Sequence, residues 1–178
     1  MIISKRFLDF SVVLLVIIAI TSGCGAVDNY AEDEAVDIEA AKTAFLSWEA
    51  RVTEIHTAAD EVMEAYNKAV SGVAEGNIDI FSVYDYISSE VVPANEKLEM
   101  AMDLVNADHA LSKNHQETLN SAKSDFTHGI YWRTKAFKKF LEFLDNQKLS
   151  LMDDARGDFE FANNYMLEGI GKYMGVKS

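Results

Sequence analysis

IEAAKTAFLSWEARVTEIHTAADEVMEAYNKAVSGV, residues 38–73, is the stretch of sequence that decides the fold. Its apolar side chains recur at alternating steps of three and four residues, which places them in one stripe along a helix. They are Ile38, Ala41, Phe45, Trp48, Val52, Ile55, Ala59, Val62, Tyr66, Ala69 and Val73. A pattern sustained for so many turns is typical of helices that pack through coiled-coil-like seams. It predicts one long helix that buries its stripe against other elements.

The same period returns in three later segments, at residues 80–105, 111–144 and 152–173. Gly76 predicts the end of the first helix, because glycine readily adopts the left-handed conformation that closes a helix. Pro93 lacks a backbone donor, so it predicts a kink or a loosened turn within the second helix.

The boundary between the third and fourth segments is less strongly marked. Ser150 followed by Asp153 resembles a helix N-cap with an acid in the first turn, which favours a break. Residues 145–149 contain neither glycine nor proline, so the two segments could also run on as one helix. We expect the break, and the sequence leaves both arrangements open.

Four amphipathic helices with short connections predict an all-α fold: an up-down-up-down four-helix bundle with coiled-coil-like seams over residues 35–178. The chain has nine glycines and one proline in 178 residues, too few for a sandwich or barrel built on many turns. In such a bundle the turns at residues 74–78 and 146–150 lie at the end opposite to the start of the domain.

Residues 1–23 have the features of a secretory signal peptide that is cleaved from the mature protein. Two basic residues come first, residues 10–20 form an apolar run, and small residues follow it. A transmembrane helix needs roughly 20 apolar residues, and Asp9 interrupts any backward extension of this shorter run. We therefore expect cleavage before Cys24, with a permanent membrane helix as the alternative.

The segment ITSGC, residues 20–24, resembles the lipobox of bacterial lipoproteins, in which small residues precede a cysteine. Thr21 stands where leucine is commonest in that motif. The resemblance implies that Cys24 receives diacylglycerol, becomes the mature N-terminus and holds the protein on the extracytoplasmic face of the cell membrane. Cys24 is also the only cysteine, so it has no intramolecular disulfide partner. We expect residues 24–34 to form an acidic, flexible tether.

The chain is strongly acidic, with a formal net charge of −13. Removal of residues 1–23 leaves 14 basic and 28 acidic side chains, which is a net charge of −14. This charge repels the phosphate backbone at long range, so we expect no nucleic-acid partner. The expected contact with the membrane is through the N-terminal lipid.

No motif for catalysis is present in the sequence. It lacks a Gly-x-Ser-x-Gly elbow and a phosphate-binding glycine loop. A carboxylate-bridged metal pair needs an acid-x-x-His motif on two helices, and Asp125 with His128 supplies it once. We therefore expect no enzymatic activity and no cofactor.

His115 falls on the apolar seam of the third helix, where Met102 and Met174 could approach it. A His/Met set suits copper or a haem axial site, so the alternative function is a small-ligand, haem or metal-binding bundle that uses its interior. Covalent haem is excluded because no Cys-x-x-Cys-His occurs. The favoured interpretation is a core histidine among methionines that fill irregular space.

Residues 131–139 combine aromatic and basic side chains: Tyr131, Trp132, Arg133, Lys135, Lys138 and Lys139. Such a surface on an acidic protein could dock an envelope or extracellular protein, or an anionic polymer or lipid head group. The alternative is that the cations pair with acids of the second or fourth helix and that their stems cover apolar surface. The sequence thus predicts a lipid-anchored, extracytoplasmic, non-enzymatic interaction module that acts at the cell envelope through this surface and its distal turns.

Overall fold

The computed structural model describes residues 37–177, which form four helices and no strands. α1 spans Ile38–Ala74, α3 spans Lys113–Asn146 and α4 spans Leu149–Lys177. α2 has three consecutive parts, Ile80–Tyr86, Ile87–Val91 and Val92–Asp103. The predicted all-α class is confirmed for this part of the chain, and the packing of α3 on α4 fits a bundle.

The expected signal peptide, the lipidation site at Cys24 and the expected tether lie outside the described residues. None of the helices formed by residues 37–177 is both long and apolar enough to cross a membrane.

Short acidic side chains begin the first two helices. The Asp37 carboxylate accepts hydrogen bonds from the backbone of Glu39 and Ala40, which satisfies donors that the first turn of α1 leaves unpaired. Gly76 follows α1 with φ of 75°, as the sequence predicts. Asp79 then caps α2 in the same way as Asp37 caps α1.

α2 contains a π-helical turn, Ile87–Val91, just before Pro93. Pro93 has no backbone N–H, so it cannot donate to the carbonyl of Ser89, four residues earlier. The helix widens, and the N–H of Val92 donates to the carbonyl of Ile87, five residues earlier. The irregularity expected near Pro93 therefore takes the form of a π-helical turn.

α3 and α4 are separate helices, which settles the boundary that the sequence left open. Gln147 adopts φ of 55°, in the left-handed region, and its N–H donates to the carbonyl of Phe143 at 2.8 Å. The side chain of Gln147 also donates to the carbonyl of Leu144 at 2.8 Å. These two bonds close α3 without the glycine that usually occupies such a position.

Glycines allow α3 and α4 to approach closely. A Cβ at Gly129 would lie 2.9 Å from the side chain of Met166, and a Cβ at Gly169 would overlap the ring of Phe126. Both separations are shorter than van der Waals contact, so a larger residue would push the helices or these side chains apart. The glycines thus set the distance between α3 and α4.

Two apolar clusters fill the interior. The first contains Ala44, Trp48, Val52, Met102, Val105, Leu111, Leu119, Ala122, Phe126, Ile130 and Met166. The second contains Tyr66, Ala69, Val83, Ile87, Val91, Val92, Phe137 and Phe140. Between the clusters along α2 and α3 lie three buried polar residues, Asn95, Arg133 and Thr134, which we name the polar layer.

Candidate functional site: an exposed aromatic face

The structure divides the six residues of the predicted docking surface among different faces of α3. Arg133 is buried and is directed towards α1. Lys138 pairs with Glu96 of α2 at 2.6 Å, and Lys139 pairs with Glu142 of its own helix at 3.1 Å. Because their charge is balanced by these acids, Lys138 and Lys139 do not form an unpaired cationic surface.

Tyr131, Trp132 and Lys135 stay together on the outside of α3, and α4 extends them. The Nζ of Lys135 lies 3.8 Å from the ring centre of Trp132, within the range of a cation–π contact. The Trp132 ring lies 5.0 Å from that of Phe161 and 5.8 Å from that of Tyr131. These contacts join the outer surfaces of α3 and α4.

A second ring pair continues the surface one helical turn away. His128 stacks on Tyr165 with ring centres 5.2 Å apart and an interplanar angle of 30°. Residues four apart share one face of a helix, which aligns His128 with Trp132 on α3 and Tyr165 with Phe161 on α4. We name the five rings the aromatic face: His128, Tyr131, Trp132, Phe161 and Tyr165.

The rings of the aromatic face remain accessible to solvent. Phe161 is 53% exposed and Tyr131 is 43% exposed, while Trp132 and Tyr165 are half-buried. Burial raises the pKa of the nearby Asp158 carboxyl, although Lys135 and Lys139 act to lower it. Charges of both signs therefore border the rings, and the face offers aromatic area more than net charge.

Arg133 belongs to the polar layer and not to a surface, which corrects its place in the predicted docking surface. Its guanidinium donates to the carbonyl of Ala59 at 3.3 Å and lies 3.5 Å from the carboxylate of Asp60. Burial lowers the pKa of Arg133, and the neighbouring Asp60 carboxylate opposes that shift. A buried cation requires such partners, because isolation from water destabilises its charge.

His56 of α1 lies close to Arg133. Its ring meets the ring of Phe126 edge to face, with centres 4.4 Å apart. Within residues 37–177 the structure gives its buried Nε2 no hydrogen-bond partner. Burial, together with the positive charge of Arg133, lowers the pKa of His56 to about 4, against an opposing effect of Asp60. His56 is therefore neutral near pH 7.

Asn95 fixes α2 against α3 within the polar layer. Its Nδ2 donates to the carbonyl of Ile130 at 2.8 Å and to the hydroxyl of Thr134 at 2.9 Å. A fully buried amide that makes two specific bonds disfavours a sliding of the two helices, because a shifted register would leave the amide unpaired. The layer therefore specifies the alignment of helices.

The residues of the alternative interior site have different environments. Met102 is fully buried in the first apolar cluster, His115 is half-buried, and Met174 is 41% exposed. Residues 37–177 contain no group of three or more His, Cys, Asp or Glu side chains that could hold a metal ion. The acid-x-x-His pair is also divided, because Asp125 pairs with Lys172 at 2.5 Å while His128 stacks on Tyr165.

No protein-family model, no curated protein and no solved structure matches this chain.

Proposed function

We propose that the protein is a non-enzymatic binding module, held on the extracytoplasmic face of a bacterial cell membrane by a lipid on Cys24. Its aromatic face docks an envelope or extracellular protein. The observation that carries the proposal is that five rings of α3 and α4 lie outside both apolar clusters in two groups, with Trp132 against Tyr131 and Phe161 and with His128 against Tyr165 one helical turn away. Exposed rings leave apolar area in water, and aromatic side chains are enriched where proteins meet.

Contact with the partner is mainly aromatic and apolar in this proposal. Lys138 and Lys139 already have acidic partners, and Lys135 lies over the Trp132 ring. Rings give a large contact area with little loss of side-chain freedom, because each has only two rotatable bonds. The docking energy is therefore expected to depend weakly on salt, unlike binding to an anionic polymer.

We further propose an up-down-up-down order for the four helices. Glu49, in the first half of α1, pairs with Lys177 at the end of α4 at 2.7 Å. Tyr84, near the start of α2, donates to Asp145, near the end of α3, at 3.3 Å. Each pair joins the early part of one helix to the end of another, as antiparallel neighbours require.

Photo-crosslinking in intact cells tests the aromatic face. A photoreactive phenylalanine analogue at Phe161 is expected to give one discrete crosslinked protein, because this ring lies within the face. The matched control is Leu46 of α1, whose side chain is 50% exposed against 53% for Phe161. The proposal fails if position 161 yields no crosslinked species, or only the species that position 46 yields.

A second variant tests whether the rings themselves hold the partner. Tyr131→Ser with Tyr165→Ser is expected to abolish the crosslink from position 161. The double variant keeps the photoreactive residue at position 161 and changes no residue of either apolar cluster, and circular dichroism checks that it folds. An undiminished crosslink would show that the aromatic face does not hold the partner.

A further inference from the structure

Apolar side chains are also exposed at one end of the molecule, at the turns between α1 and α2 and between α3 and α4. Phe81 is 79% exposed and Leu149 is 75% exposed, and Ile78 and Ile80 are partly exposed beside Phe81 in sequence. We name these four residues the apolar tip. Exposed apolar side chains that lie together within a polar border are typical of interaction sites.

Contacts between α2 and α3 bring the two turns to the same end. The hydroxyl of Tyr84 donates to the carboxylate of Asp145 at 3.3 Å. Val83 of α2 and Phe140 of α3 belong to the same apolar cluster. Phe81 lies three residues before Tyr84 and Leu149 lies four residues after Asp145, so both belong to the end of the molecule where this contact is made.

Stability of the fold does not explain Phe81 or Leu149. Neither side chain belongs to an apolar cluster or packs against one. The cap of α2 is supplied by Asp79, whose carboxylate accepts from the backbone of Phe81 and Ser82. A polar residue at position 81 would offer the same backbone donor, so the ring itself has no role in the cap.

Acidic residues border the apolar tip. Segments 75–86 and 145–154 contain six exposed acids and one base, Lys148. The acids are Glu75, Asp79, Asp85, Asp145, Asp153 and Asp154. This border repels an anionic lipid surface, and it repels the same border on a second copy of the chain. It attracts a partner that carries basic groups.

We propose that the apolar tip docks a segment of another protein whose apolar face is bordered by lysine or arginine side chains. Apolar contact with Phe81 and Leu149 supplies the affinity, and the acidic border steers the approach and makes it sensitive to salt. The apolar tip and the aromatic face share no residue. The test of one proposal can therefore fail while the test of the other succeeds.

Binding of a synthetic amphipathic helix of leucine and lysine tests this proposal. The full chain is placed in nanodiscs of neutral phosphatidylcholine, empty nanodiscs serve as the blank, and binding of the labelled peptide is followed by fluorescence anisotropy. Phe81→Ser with Leu149→Ser is expected to weaken binding by about tenfold or more, since two apolar contacts are lost. Asp85→Asn with Asp153→Asn is expected to reduce both the affinity and its dependence on salt.

The matched control is Met100→Ser with Leu104→Ser, because both side chains are 69% exposed and lie outside the apolar tip. This variant is expected to bind the peptide as the wild type does. Equal loss of affinity in the control and tip variants would overturn the proposal. It would also be overturned if a leucine–glutamate peptide bound as tightly as the leucine–lysine peptide. Two further results would overturn it: sedimentation of the loaded nanodiscs with added phosphatidylglycerol vesicles, or pairing of two loaded nanodiscs through the apolar tip.

Discussion

His56 occupies a position where a positive charge would destabilise the folded protein. The imidazole is largely buried against the Phe126 ring, and the Arg133 guanidinium already places a cation in the same region. A proton on His56 would add a second cation with no buried carboxylate to balance it, since Asp60 is half-exposed. The polar layer therefore tolerates one cation, and it needs His56 to be neutral.

We expect His56 to make the stability of the fold depend on pH. Its pKa is about 4 in the folded protein and about 6.5 in the unfolded chain, so between these values only the unfolded chain binds the proton. Stability is therefore full above pH 6.5 and falls as the pH drops towards 4. Urea unfolding should show a loss from His56 of roughly 2 kcal/mol between pH 7 and pH 5.

His56→Leu should remove this part of the pH dependence, because leucine does not titrate. The difference in pH-dependent stability between variant and wild type reports on His56 alone, because the carboxylates that titrate in the same range are present in both proteins. His109→Gln is the control, since the His109 side chain is 98% exposed and pairs with Asp108, which is itself 50% exposed. If His56→Leu and wild type lose stability in parallel down to pH 5, His56 is not held neutral by the fold.

At the scale of elements, the contact between α3 and α4 depends on residues that have no side chain. Gly169 leaves room for the ring of Phe126, and Phe126 in turn meets His56 of α1. A larger residue at position 169 would therefore disturb the packing of α1, α3 and α4. A glycine of the same helix without such a neighbour should behave in the opposite way.

We expect Gly169→Ala to destabilise the protein by about 1–3 kcal/mol, because the added methyl group would overlap the Phe126 ring. Gly157→Ala, in the same helix, meets nothing within 4 Å and should stabilise it by about 0.5–1 kcal/mol, since alanine favours the helix. Thermal or urea unfolding of both variants measures the contrast. A stabilising Gly169→Ala would mean that α3 and α4 are not in close contact there.

The helices could be predicted from the sequence because the apolar period fixes them directly, and Gly76 marks the end of the first. The end of α3 was harder to predict, because Gln147 adopts the left-handed conformation without being glycine. The π-helical turn was indicated only as an irregularity near Pro93. The local sequence pattern therefore predicts the helices well and predicts their unusual ends poorly.

Only part of the aromatic face could be predicted from the sequence. Tyr131, Trp132 and Lys135 lie close together along the chain, whereas Phe161 and Tyr165 join them only when α4 packs on α3. The burial of Arg133 is indicated by the apolar pattern of α3. The apolar seam of α3 takes a step of seven residues from Ile130 to Phe137, and the polar layer fills the vacant position between them.

At the scale of the whole molecule, the length of α1 separates the start of the described domain from the apolar tip. The described domain starts at Asp37, and the apolar tip lies at the turn that follows the far end of α1, Ile38–Ala74. A helix of this length spans on the order of 50 Å, at about 1.5 Å per residue. The apolar tip therefore lies about one helix length from Asp37.

We expect the wild-type chain to incorporate an alkyne-tagged fatty acid and to have the mass of a chain that lacks residues 1–23 and carries a diacylglyceryl group. Cys24→Ala should carry no label, because the thiol is the only group that the lipobox resemblance assigns to diacylglycerol. Ser22→Ala is the matched control, since a small residue before the cysteine is kept, and it should be labelled as the wild type is. In-gel fluorescence and intact mass of the membrane fraction measure both results. An unlabelled wild-type chain that retains residues 1–23 in the membrane would show instead that an uncleaved N-terminal helix anchors the protein, because the apolar run would then still be present to hold it there.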